Sequence, residues 1–98
     1  MINWQKITGF EWDAGNERKK VEKHDVSQAE AEQLFFNEPL LTVLDGKHSS
    51  VEMRIHALGK SDEDRLLHVT FTLRENKTKI RVISARNMSR KERTYYDN

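Results

Sequence analysis

Apolar positions along this 98-residue chain change period at Pro39, from helical spacing before it to alternation after it. Phe10-Glu11-Trp12 reads as a short edge strand. Asp13 suits the N-cap of a polar helix over roughly 14–24, whose apolar residues are mainly Ala14 and Val21, so a surface position is expected. The next start signal is stronger. Ser27-Gln-Ala-Glu30 fits a capping box, and Val26 and Ala31 are spaced as a hydrophobic staple. That helix should run through Leu34, Phe35 and Phe36 and stop before Asn37-Glu38-Pro39, because the residue preceding proline is pushed out of helical geometry.

Beyond Pro39 the pattern is that of strands. Leu40 to Leu44 is the first, closed by a turn at Asp45-Gly46. From Glu52 to Leu58, Met53, Ile55 and Ala57 alternate with Glu52, Arg54 and His56. From Leu66 to Arg74, Leu67, Val69, Phe71 and Leu73 alternate with His68, Thr70, Thr72 and Arg74. Ile80, Val82 and Ser84 then share one side, opposite Arg81 and Ile83. The connections Gly59 to Asp64 and Glu75 to Lys77 are short and polar, which predicts hairpins and an antiparallel sheet. Ser89-Arg-Lys-Glu92 is a second capping box. It opens a C-terminal helix, carrying Tyr95 and Tyr96, that is too short to persist undocked. The expectation is therefore one small α+β domain over 1–98: an antiparallel sheet of about four to five strands, two N-terminal helices on one face and a short C-terminal helix.

Charge changes the picture more than composition does. Residues 1–45 hold five Lys or Arg against nine Asp or Glu, while residues 46–98 hold twelve against seven. A cationic back half in a chain of net charge +1 points to a polyanion as the thing handled. The absence of cysteine excludes a disulfide framework, thiolate metal ligation and a thiol nucleophile. The opening Met1-Ile-Asn-Trp-Gln-Lys lacks the apolar region of a secretion signal, and no stretch approaches membrane-spanning length, so a cytoplasmic protein with no membrane partner is expected.

Candidate chemistry follows from the polar sheet face. His24, His48, His56 and His68 are scattered, without metal-ligand spacing, and Gly9, Gly15, Gly46 and Gly59 stand alone, so neither a metal nor a phosphate-cradling loop is expected. Metal-free RNA cleavage asks for less. The substrate's 2′-hydroxyl is the nucleophile, and the protein supplies a base, an acid and cations for the phosphorane. Glu52 and the histidines suit proton transfer, and Arg54, Arg74, Arg81 and Arg86 offer bidentate forks for phosphate. Tyr95, Tyr96 or whichever of Trp4 and Trp12 is exposed could stack bases.

The order of motifs also resembles a known family. Phe10-Glu-Trp-Asp13, Glu22-Lys-His24, Val26-Ser27, Pro39, Glu52-x-Arg54, Gly59, Leu66-Leu67-x-Val69-x-Phe71-Thr72-x-Arg74, Ile80-Arg-Val-Ile-Ser-Ala-Arg86 and Arg90-Lys-Glu-Arg93-x-x-Tyr96 resemble the BrnT toxins. The resemblance implies a RelE-like fold and an endoribonuclease that halts translation. It also implies a BrnA-type ribbon-helix-helix antitoxin partner, through which alone operator DNA would be contacted. The family's recurrent polar positions fall on Lys23, His24, Glu52, Arg54, Arg74, Arg81, Arg86, Glu92, Arg93 and Tyr96. Asp25 stands where the family usually has glycine, and Lys20 where an asparagine is common.

Together these readings place catalysis on Glu52, Arg54, Arg86, His24 and His56, and RNA binding on Lys23, Arg74, Arg81, Arg93 and Tyr96, with no cofactor. The geometric expectation is that the guanidinium groups and Glu52 converge on one phosphodiester. The rival reading is a non-catalytic module that binds nucleic acid or the antitoxin.

Overall fold

The computed structural model describes residues 2–12, 25–47 and 52–97. Five strands form one sheet: β1 (Gly9–Glu11), β2 (Leu41–Asp45), β3 (Arg54–Lys60), β4 (Leu66–Arg74) and β5 (Lys79–Asn87), in the order β1-β5-β4-β3-β2. Helix α1 spans Gln28–Gln33 and helix α2 spans Arg90–Asp97. The α+β class stands, but the sheet is mixed rather than antiparallel. Strands β2 to β5 pair antiparallel, whereas β1 lies parallel to β5, with Phe10 opposite Ile80. A hairpin cannot produce that pairing, because the chain reaches β5 only after crossing the whole sheet.

Two N-terminal helices were expected. The first, over 14–24, lies outside the described residues. The second is α1, which starts as its capping signal requires: the Ser27 hydroxyl accepts from the Glu30 amide at 3.0 Å. Its far end tightens into a 3-10 turn at Leu34–Phe36, so the α-helix is shorter than the apolar spacing suggested. The Glu30 carboxylate does not complete the box. It binds Arg65 Nη1 at 2.7 Å instead, tying α1 to the start of β4. A 3-10 turn at Trp4–Lys6, absent from the sequence reading, precedes β1.

Asp25, before α1, has φ of 63°. That is the left-handed region where glycine is at ease and which aspartate enters more readily than most residues. The departure from the family's usual glycine is therefore sterically tolerable.

Alternation in β3 and β4 predicts the core correctly. Ile55, Ala57, Leu67, Val69 and Phe71 are buried on one face and pack with Val26, Ala31 and Leu34 from the α1 side. Strand β3 begins at Arg54, so Glu52 sits just before the strand rather than in it.

In β5 the expected alternation fails. Thr70 pairs with Ser84 and Phe71 with Val82, leaving Ile83 as an extra residue, a β-bulge. Ser84 thus turns away from the core, and Ala85 takes its place beside Val69. Carried on without the bulge, the same alternation would have turned Arg86 into the core.

Gly59 marks the closest approach of the sheet to the 3-10 turn. A Cβ there would lie 2.9 Å from Leu34 Cγ and 3.2 Å from Leu40 Cδ1. Gly59→Ala is expected to cost about 1–3 kcal/mol by overpacking. Urea unfolding should show this as a lower midpoint at unchanged slope.

Candidate nucleic-acid interface

The sheet face away from α1 is a grid whose rows are set by strand register. The row nearest α2 carries Leu41, Leu58, His68 and Arg86, and the next carries Val43, His56, Thr70 and Ser84. A third holds Asp45 beside Arg54, and Thr72 beside Arg81 and Glu11. The fourth holds Arg74 and Lys79. Rows lie two residues apart along a strand, so the face extends roughly 20 Å from Arg86 to Arg74.

All four arginines singled out from the sequence therefore share one face, with both strand histidines. They do not gather at a point. Glu52 pairs with Arg74 at 3.1 Å in the far row, while Arg86 stands at the opposite end. Arg81 approaches Glu11, its register partner, at 3.8 Å. Arg54 is half-buried beside Asp45. The expected convergence on a single phosphodiester is not formed: the four guanidinium groups are spread along the face, each beside a carboxylate of its own.

The near end is the most structured part. The Arg86 guanidinium donates two parallel hydrogen bonds to Glu92, Nη1 to Oε1 at 2.8 Å and Nη2 to Oε2 at 2.9 Å. The same Glu92 carboxylate accepts from the Ser89 amide at 2.9 Å, while the Ser89 hydroxyl accepts from the Glu92 amide. This is the capping box read from the sequence, now also clamping a cation. With α2 docked on the sheet, Tyr96 donates to the Pro39 carbonyl at 2.5 Å, so its hydroxyl serves helix docking. Arg93 and Tyr95 are exposed on α2.

His56 and His68 lie with ring centroids 4.9 Å apart. His56 Nε2 is 2.9 Å from Asp45 Oδ2, and its Nδ1 is 2.9 Å from the Thr70 hydroxyl. An ionised Asp45 can only accept, so Nε2 carries the proton there. His68 is different. Burial, and then the Arg86 charge, push its pKa down to about 4 against the Glu92 charge, which raises it. Its Nδ1 is buried with no hydrogen-bond partner, so a protonated ring would bury a second N–H unmet. At neutral pH His68 is uncharged, and its 3.9 Å approach to Glu92 is not an ion pair. Glu92 itself is held down at about 2, first by the Arg86 hydrogen bonds, against the opposing effect of burial.

Lys23 and His24 lie outside the described residues. Neither tryptophan reaches this face: Trp4 stacks against Phe35, itself edge-on to core Phe71, and Trp12 Nε1 donates to Glu32 of α1 at 2.6 Å. Period-two parity put His68 on the same face as His56 and the histidines were read as suited to proton transfer, yet His68 was not among the residues assigned to catalysis. Asp45 read as a turn residue only, and no local signal marked it as the partner of His56. Among the described residues no group of three or more His, Asp or Glu could hold a metal. No helix among them is long and apolar enough to cross a membrane.

The structure defines a small α+β domain whose arginine-bearing sheet face is partly covered by a C-terminal helix. Residues 12–92 match the family described as ribonuclease toxin, BrnT, of type II toxin-antitoxin systems. The chain belongs to that family, which makes it a toxin of a toxin–antitoxin pair with an antitoxin as partner. None of the curated proteins matches it.

Acid should weaken the fold in two overlapping windows. His68 has a folded pKa below its ordinary 6.5, so the unfolded chain takes up a proton first and stability falls from pH 6.5 towards 4. Glu92 adds a loss from its ordinary 4.5 towards 2. Each contributes at most about 1.4 kcal/mol per pH unit within its window. Urea unfolding from pH 3 to 8 should show the fall, with His68→Gln flattening the upper window and Glu92→Gln the lower.

Proposed function

We propose that this toxin is a metal-independent endoribonuclease that inhibits translation by cutting RNA. What carries the reading is the four-row face, where four guanidinium groups and two imidazoles share one side of one sheet. An extended RNA strand laid along the rows meets cations over several phosphates.

In the reaction the 2′-oxygen forms a bond to the adjacent phosphorus, and the bond to the 5′-oxygen breaks. The products are a 2′,3′-cyclic phosphate and a 5′-hydroxyl. Arg86, beside the histidines, steadies the reacting phosphate and the charge that grows on it, while Arg54, two rows away, holds a neighbouring phosphate. Glu52 or His56 takes the proton from the 2′-hydroxyl, and a neighbouring tyrosine, or His56 where Glu52 is the base, returns one to the leaving oxygen, since His68 is neutral. His56 is oriented by Asp45 at Nε2 and Thr70 at Nδ1, so the 2′-hydroxyl proton would pass to the Thr70 oxygen as the Thr70 proton passes to Nδ1. Glu52 stands further off, paired with Arg74. Lys23, Arg74, Arg81, Arg93 and Tyr96 are assigned to flanking nucleotides, and His24 to the catalytic group, on their family positions. For Arg86 to engage RNA, a phosphate replaces Glu92 in its fork, one anion exchanged for another.

In this proposal the toxin acts in the cytoplasm. A BrnA-type ribbon-helix-helix antitoxin silences it, and operator DNA is reached only through that antitoxin. A second reading, a non-catalytic binding module, draws support from the pairing of the guanidinium groups, Arg86 with Glu92, Arg74 with Glu52 and Arg81 with Glu11.

Arg54→Ala and Arg86→Ala are each expected to lower cleavage of labelled RNA on the order of 10²–10³-fold and to restore growth on unrepressed expression. Thermal melts should confirm that both variants fold. Cleavage by the wild type should survive a chelator. Full toxicity in both variants would remove the assignment. RNA left intact but bound, with steep salt dependence, would select the second reading.

A further inference from the structure

Strand β2 is an edge of the sheet, five residues long, and among the described residues nothing pairs with its outer side. Alternate residues of an edge strand direct backbone N–H and C=O groups outward, a template for another strand. Sequences usually blunt such an edge, yet here the middle of the strand is exposed and apolar: Val43 and Leu44 are both 57% accessible.

These two side chains point to opposite faces, and each face holds an apolar cleft. On the cationic side, Leu41 and Val43 join Leu58 and Tyr95 around a cleft of about 370 Å³ under α2. On the core side, Thr42 and Leu44 join Met53, Ile55 and Leu73 around one of about 210 Å³. Both clefts are thus bordered by alternate residues of the same strand. A strand added to β2 would drop successive side chains into one cleft and then the other, with the backbone ladder between them.

We propose that β2 receives an extended segment of the antitoxin as a sixth strand, one with large apolar side chains at alternate positions and acidic residues flanking them. The identity of the partner rests on the family reading; the site rests on the edge and its two clefts. The charge of the occupant follows from the rim. Lys91 borders the first cleft, Lys77 the second, and exposed Lys47 follows β2. The carboxylates nearby are engaged, Asp45 with His56 and Glu92 with Arg86. A β2-to-β2 dimer would gather these cations along one seam, whereas acidic flanks would complement them. RNA offers no backbone amides for the ladder. A side chain seated in the first cleft lies against His56 and His68, which also line it. Docking at the edge therefore reaches the cationic face.

The test uses the full-length toxin and the antitoxin encoded beside it. Amide hydrogen exchange of Leu41–Asp45 is expected to slow at least tenfold on complex formation. Leu44→Lys, exposed and on the side away from the arginines, should weaken antitoxin affinity at least tenfold while RNA cleavage by the uncomplexed toxin is unchanged. Unaltered exchange in β2, or wild-type affinity in Leu44→Lys, would overturn the proposal. Concentration-dependent protection of β2 in the toxin alone would make a second copy the occupant, and protection by an RNA oligonucleotide alone would make it RNA; either overturns it. Antitoxin protection of β2 in a chain that leaves RNA intact would retire the ribonuclease reading and leave this one standing.

Discussion

One unpaired residue, Ile83, sets which way the working end of β5 faces. The strand must bury Ile80 and Val82 against the core and later present Arg86 to solvent, although all three have the same parity in an unbroken strand. The bulge resolves the conflict by inserting a residue, after which Ala85 is buried and Ser84 and Arg86 face outward. An unpaired guanidinium turned into the core would cost several kcal/mol in desolvation, so the register shift has a strong physical cause. The pairing of Arg86 with Glu92, the closeness of His68 to that pair and the seat of α2 all depend on it.

Glu92 then links helix formation to the electrostatics of the face. Its carboxylate caps α2 at the Ser89 amide and fills the fork of Arg86. An eight-residue helix has little stability of its own, so these contacts and the Tyr96 bond to Pro39 hold it against the sheet. The cost of the arrangement falls on His68. Enclosed beside a guanidinium, it stays neutral well below the ordinary range of histidine. An anion entering the fork would displace a helix cap as well as a counter-charge, so the occupancy of the Arg86 fork is coupled to the position of α2.

The two faces of the sheet divide the chemistry. Toward α1 the aromatic contacts run inward, from Trp4 and Phe10 through Phe35 to Phe71, and both tryptophans are spent there. The opposite face combines cations with an apolar strip along β2, β3 and α2.

Local pattern alone was enough for the N-cap at Ser27, the capping box at Ser89, the alternation of β3 and β4, the buried set around Phe71 and the common face of Arg54, Arg74 and Arg81. Each depends on neighbours a few residues apart, which any stretch of sequence displays. Contacts between distant segments were not legible in that way. The parallel pairing of β1 with β5 brings Phe10 to Ile80, the Asp45–His56 bond joins β2 to β3, and Glu52 meets Arg74 rather than Arg86. The bulge at Ile83 belongs with these, since strict alternation gives no hint of an inserted residue. Residue spacing carries the period of an element and the chemistry of its faces. Register, strand order and the partner of each charge are set by packing across the whole sheet, and only the tertiary structure decided them.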